Sequence, residues 1–303
     1  MMRPKMQRMV AIGEAMVEMA PLAGGAYQMG FAGDTLNTAW YARRVLPEGW
    51  SVEYFTALGQ DGVSDRMVGF LGAAGIGVGH IARLPGRTVG LYMIELRDGE
   101  RSFAYWRGQS AARLLADAGR LARGLDGAGV VYLSGITLAI LEGDGRDVLF
   151  AALRVARAAG AVVVFDPNLR PRLWDDTATM CDVVMQAAAL SDIVLPSHED
   201  EAAFFGDVDV AATAARYAKA GAGLVVVKNG GGEMMTLEDG VVGLHAPEVG
   251  VAVVDSTAAG DSFNAGFLSA WLVGGDAAAS VRAGAQLAAR VIGQRGALCE
   301  VFE

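Results

Sequence analysis

An α/β protein is predicted, with a parallel sheet sandwiched between helices and a small β-sheet lid beside it. Three observations carry the prediction. Short β-branched runs recur at residues 130–134, 161–166, 192–195 and 223–228, about 31 residues apart, the length of one strand-helix-strand step. Ala-, Leu- and Arg-rich stretches of helical character separate them, and buried strands alternating with helices fold as right-handed crossovers into a parallel sheet covered on both faces. The third observation is a change of character in the first half. There, residues 89–96, the turn Arg97-Asp98-Gly99-Glu100 and residues 101–106 read as a β-hairpin, because Asp-Gly is a strong turn signal.

In chain order, residues 9–13 are the opening strand, 53–57 a second strand and 66–74 a helix. Residues 15–19 and 27–31 supply further lid strands. The expectation is one domain over 1–303, with the lid inserted from about 14–35 and 87–109. Residues 251–254 read as an apolar strand that leads through small residues into a helix.

Composition narrows the partners. The chain has 303 residues, 53% of them hydrophobic, and a net charge of −9. Its only lysines are Lys5, Lys219 and Lys228, and the arginines are scattered, which argues against nucleic acid and anionic membranes. Cys181 and Cys299 make no disulfide framework, and His80, His198 and His245 form no zinc-binding pattern, with His198 read as a loop histidine. Glu14 and Glu18 interrupt any signal-peptide core, and no run is long and apolar enough to span a bilayer, so a cytoplasmic location is expected.

Ligands of open α/β sheets sit at the carboxyl ends of the strands, so polar residues just after predicted strands deserve scrutiny. They are Asp166, Asn168 and Arg170, then 197–201, then 229–233, then 255–262. The last segment runs Asp255-Ser-Thr-Ala258-Ala259-Gly260-Asp261-Ser-Phe-Asn-Ala-Gly266 into an apolar helix. Small residues let backbone N–H groups approach an anion, and the helix dipole adds attraction. A carboxylate there repels phosphate unless it has a chemical task, such as taking a proton from an attacking hydroxyl; the plain alternative is a helix cap. The segment Gly30-Phe-Ala-Gly33-Asp34-Thr-Leu-Asn37, continuing to Arg44, is a glycine-bearing loop entering a helix. Asp34 either binds substrate hydroxyls or simply starts that helix. Gly75-Ile-Gly77-Val-Gly79 has part of a dinucleotide-binding spacing but follows a helix, not a strand.

Together the two segments resemble the signatures of the ribokinase-like, PfkB-type carbohydrate kinase family. Ile12-Gly13-Glu14, Tyr105-Trp106-Arg107 and Asp166-Pro-Asn168-Leu-Arg170-Pro-Arg-Leu-Trp174 narrow the likeness to members acting on the sugar acid 2-keto-3-deoxygluconate, and it covers the chain from about Met9 onward. The resemblance implies ATP and Mg²⁺ as cofactors, transfer to the 6-hydroxyl, and a homo-oligomer joined through the lid. It makes Asp261 the base and the amides of Ala258, Ala259 and Gly260 the anion hole. It places Gly33, Asp34, Asn37, Tyr92, Tyr105, Arg107 and Arg170 at the sugar acid, where guanidinium groups suit a carboxylate. Asn168, Ser197, Lys228, Gly230, Gly232 and Gly260 line the ATP groove, with 285–289 and Gly293 near the adenine. Plain alternatives are a lid-strand end for Arg107, a surface loop for Arg170 and a strand end for Lys228. Two departures stand out: Ser197-His-Glu-Asp200 where the family often has Asn-x-x-Glu, leaving Asp200 as the metal candidate, and Ala258 where Gly is usual. A positive φ there would strain Ala. A kinase of a neutral ketose or nucleoside, and a catalytically silent sugar sensor, are the alternatives. A hydride-transferring oxidoreductase ranks last.

Overall fold

A computed structural model describes residues 3–97 and 100–302. Its first half contains β1 (Arg8–Ile12), β2 (Met16–Pro21), β3 (Tyr27–Ala32), α1 (Asp34–Val45), β4 (Ser51–Leu58), α2 (Gly62–Ala73), β5 (Ile81–Arg83), β6 (Gly90–Arg97) and β7 (Glu100–Trp106). Next come α3 (Ala118–Leu125), β8 (Val130–Ser134), α4 (Gly135–Ile140), α5 (Gly145–Ala158), β9 (Val162–Asp166), α6 (Thr177–Ala189), β10 (Ile193–Val194), α7 (His198–Phe205) and α8 (Val210–Ala220). The chain closes with β11 (Leu224–Val227), β12 (Met234–Glu238), β13 (Val241–His245), α9 (Ala259–Leu272) and α10 (Ala277–Ile292).

Nine strands form the large sheet, in the order β13-β12-β11-β10-β9-β8-β1-β4-β5. It is parallel from β11 to β5, and β12 and β13 add an antiparallel edge. Successive side chains of a strand point to opposite faces, and the sheet uses both. Val130, Tyr132, Val162 and Val164 enter one core, with Trp271 and Phe267 of α9, while Val131, Leu133, Val163 and Phe165 enter the other, with Leu149 and Leu153 of α5. That is why β8, β9 and β11 are continuously apolar rather than alternating.

A second sheet of four strands, β3-β2-β6-β7, stands apart. Strands β6 and β7 pair antiparallel out to Arg97 and Glu100; Asp98 and Gly99, the centre of the expected turn, lie outside the described residues.

Three local expectations are corrected. β12 and β13 were not anticipated, and they make the sheet mixed at one edge. Residues 251–254 form no strand: the amides of Val254 and Asp255 donate to Ile292 O at the end of α10, and Val253 and Val254 are exposed. A β-branched run becomes a strand only where a neighbouring strand offers its ladder, and here a helix end takes the hydrogen bonds instead. His198 lies in the first turn of α7 rather than in a loop, its Nδ1 3.1 Å from Thr213 Oγ1. In the glycine-rich 75–79 segment Gly75 has a φ of +74°, and a Cβ on Gly77 would meet Glu53 Cγ at 2.7 Å.

Helix starts differ in how they are capped, and α5 opens on Asp144 without a side-chain cap although it carries no candidate residue. α2, α3, α6, α8 and α10 open on Asp61, Asp117, Asp176, Asp209 and Asp276, whose carboxylates accept first-turn amides. α1, α7 and α9 open on Gly33, Ser197 and Ala258 with no side-chain cap. Their N-terminal turns belong to the segments that carry the candidate residues. Among the described residues, no helix is long and apolar enough to cross a membrane.

Candidate active site

The start of α9 departs from ideal geometry at one residue. Ala258 has φ +60°, the left-handed region where a Cβ is crowded, so the strain expected from the sequence is present. Its carbonyl accepts the amide of Ser262 at 2.9 Å and the Ser262 hydroxyl at 2.7 Å, which fixes the turn. Of the predicted amides, that of Ala259 is already committed to Ser256 O at 3.2 Å. The helix supplies no acceptor for the amides of Gly260 and Asp261, and the predicted amide of Ala258 stands just before them at the N-cap.

Asp261 lies on this turn, half-buried. Burial is the main cause that pushes its carboxyl up to about 8; the Asp34 charge adds to the rise, the Asn37 hydrogen bond opposes it, Asp166 raises it further and Lys228 lowers it. The bond from Asn37 Nδ2 to Asp261 Oδ2 is 2.8 Å long and joins the two glycine-bearing segments, 224 residues apart in sequence.

Around Asp261 the predicted residues separate into two groups. Asp34 accepts the amide of Thr35 on Oδ1 and Asn168 Nδ2 on Oδ2, each at 2.8 Å. Asn168, assigned from the sequence to ATP, is thus tied to Asp34, assigned to the sugar acid; its φ of +37° is held by a bond from its amide to Asp166 Oδ1. Gly33 has no room for a side chain, because a Cβ would meet Glu14 O at 2.3 Å. Tyr92 is buried and donates to Glu18 Oε2; burial, then the Glu18 charge, push its hydroxyl upward. Tyr105 is exposed, its ring 5.9 Å from that of Tyr92.

Each cation already has a carboxylate. Arg107, buried at the end of β7, donates from Nε and Nη2 to Glu14 Oε2 just beyond β1. Arg170 contacts Asp200 Oδ2 at 3.3 Å and its neighbour Leu169 O at 2.6 Å. Burial is the main cause raising Asp200, and Arg170 opposes it. Lys228 Nζ donates to Asp166 Oδ2 at 2.9 Å and to Asn264 Oδ1 at 3.1 Å, and a Cβ on Gly260 would lie 3.5 Å from it. The ammonium therefore sits directly under the first turn of α9. Ser197 bridges to Lys228 in parallel register, while Gly230 (φ +51°) and Gly232 lie in the turn between β11 and β12.

Beyond α9, a groove of about 540 Å³ runs between Val249, Val251 and Ala252 on one side and Gln286, Ala289 and Gly293 of α10 and its end on the other. It contains the small residues expected near an adenine.

Two partners were missed from the sequence. Glu14 satisfies the rule that selected Asp166, a carboxylate just after a strand, but was read as a break in a signal core and as part of the Ile12-Gly13-Glu14 motif, with no site role. Asn264 stands one helical turn after Asp261 and donates to Asp166 Oδ2 at 2.6 Å and Tyr132 Oη at 3.0 Å.

The family model of the pfkB family carbohydrate kinases matches residues 6–300. The chain belongs to this family. It is 40% identical over 295 residues to the 2-dehydro-3-deoxygluconokinase of Dickeya dadantii, across 95% of both chains. The protein of the same name from Escherichia coli K12 is 38% identical across 96% of this chain and 97% of that one. The structure of a fructokinase with bound ATP from Xylella fastidiosa is 26% identical, with a TM-score of 0.82 over 96% of this chain and 94% of that one.

As a pfkB-family kinase the chain is a sugar phosphotransferase that uses ATP with Mg²⁺. The donors near Lys228 fit such an ion: Asp166 and Asp200 feel each other's charge and offer hard oxygens. Mg²⁺ keeps several waters and is held through one or two carboxylates together with phosphate oxygens.

Proposed function

We propose that this chain transfers the γ-phosphoryl group of ATP to the 6-hydroxyl of 2-dehydro-3-deoxygluconate (2-keto-3-deoxygluconate). The observation that carries the reading is 40% identity, across 95% of both chains, to a relative bearing that name. Relatives named fructokinase match at 26% and 30% identity, which ranks a neutral ketose second.

In this reading the substrate hydroxyl oxygen attacks the γ-phosphorus, the bond to the β-phosphate oxygen breaks, and ADP leaves with the electron pair. Asp261 takes the hydroxyl proton, which in general-base catalysis contributes about 10² to 10⁴ in rate. The amides of Gly260 and Asp261, with Lys228 beneath them, hold the transferring group's charge. Asp166 and Asp200 would hold Mg²⁺, which would supply positive charge to neutralise the phosphates. Asp34, kept in place by Asn168, accepts from sugar hydroxyls, and Tyr92 and Tyr105 form the wall. The edge of Arg107 not used by Glu14, together with Arg170, takes the substrate carboxylate. The four-stranded sheet acts as the lid over this pocket, and its exposed Phe103, Tyr105 and Trp106 join copies of the chain into a homo-oligomer, which light scattering of the purified protein tests.

The test of the reaction is ADP release with Mg·ATP and a panel of 2-dehydro-3-deoxygluconate, gluconate, fructose, ribose and adenosine. Turnover concentrated on the keto-deoxy acid is expected. Turnover with a neutral sugar and none with the acid overturns the substrate reading.

A further inference from the structure

Asn37 was expected at the sugar, but its side chain is committed elsewhere. It is buried in the first turn of α1, with its Oδ1 accepting the amide of Gly33 at 3.3 Å. A backbone N–H only donates, so that bond fixes the orientation of the carboxamide. Nδ2 then has one direction available, and it meets Asp261 Oδ2 at 2.8 Å. The neighbouring Thr38 hydroxyl reaches the Asp261 carbonyl at 3.3 Å, so the first turn of α1 grips both the side chain and the backbone of the base.

We infer that Asn37 is a positioning residue for the catalytic base: its NH₂ group holds Oδ2 of Asp261 and leaves Oδ1 to accept the proton of the substrate hydroxyl. The inference rests on the reading of Asp261 as the base.

The surroundings of Asp261 give this bond its weight. Asp34 on α1 and Asp166 at the end of β9 disfavour its charge, while Lys228 beyond β11 favours it. Tyr41 of α1, Tyr92 of β6 and Tyr132 of β8 also face it, all with hydroxyls pushed upward chiefly by burial and therefore neutral. Asn37 is thus the hydrogen-bond donor among these neighbours that favours the carboxylate. One such bond to a charged group corresponds to about one pH unit in the ionisation of the base.

The experiment is the pH dependence of kcat/KM for the sugar acid in wild type, Asn37→Ala, Asn37→Leu and Asn37→Asp, with folding of each checked by circular dichroism. The acidic limb is expected to move up by about one pH unit in the Ala and Leu variants, lowering kcat/KM about tenfold at pH values below it. It is expected to move further in the Asp variant, where a second carboxylate replaces the donor. A uniform drop with an unmoved limb, the signature of a sugar contact or of a purely structural residue, overturns the inference. Asp261→Asn, assayed beside them, separates the two claims. If it keeps near-wild-type turnover, the base itself is misassigned; if it is inactive and the limb stays in place, only the role of Asn37 falls.

Discussion

Asp261 is half-buried beside the like charges of Asp34 and Asp166, and its carboxyl is pushed up to about 8, whereas a base must be ionised to act. Rate therefore follows the deprotonated fraction: kcat/KM, which reports the free enzyme, is expected to rise with pH through about 8 and flatten above it. A pH profile of initial rates checks this; a limb near 4 means the site does not perturb the base. Glu14 faces a different constraint. It is 2% exposed and shares Oε2 between two nitrogens of Arg107, so Glu14→Gln leaves a buried guanidinium uncompensated. Breaking a buried pair from one side costs about 3–5 kcal/mol. Urea unfolding of that variant is expected to show a loss of this size. These pairings were the least legible part of the sequence. Position after a strand selected Arg170, and the family resemblance selected Arg107 and Lys228, but which carboxylate each meets depends on elements 30 to 93 residues apart.

At the scale of elements, the junction of α9 with its surroundings has two sites that respond oppositely. Ala258 occupies a left-handed conformation that costs L-residues about 1–2 kcal/mol. Ala258→Gly removes that strain at some expense in unfolded-state entropy, and a small net gain in melting temperature is expected. Gly266 lies where α9 crosses α10: a Cβ there would meet Ala283 O at 2.8 Å and Gly284 Cα at 2.9 Å, both backbone. Gly266→Ala must separate the helices and is expected to destabilise by about 1–3 kcal/mol, read from the same thermal scans. Periodicity made the parallel core legible, since β8, β9 and β11 are continuous buried runs and β8 falls where it was expected, at residues 130–134. It failed at β12, although Met234, Met235 and Thr236 are buried there, and at β13, where Val241, Val242 and Leu244 are exposed at the edge. It failed also at 251–254, where apolar residues are exposed beside α10. Local pattern describes burial on two faces and is silent about an edge.

For the molecule as a whole, the strand order brings the two signature segments together. β1 lies between β8 and β4, and α1, entered from β3, packs against α9, so that Asn37 reaches Asp261 across most of the chain. The carboxyl ends of β1 and β9 add Glu14 and Asp166, and Lys228 follows β11. In the proposed reaction the Asp261 carboxylate stands between the residues assigned to the sugar acid and the first turn of α9, and removing its ability to accept a proton tests the account most directly. The measurement is turnover of 2-dehydro-3-deoxygluconate by Asp261→Asn, with ATP binding to the same preparation followed calorimetrically. A fall in kcat of about 10² to 10⁴ with ATP affinity largely kept is the predicted result. Near-wild-type kcat in a variant that binds ATP normally would contradict it.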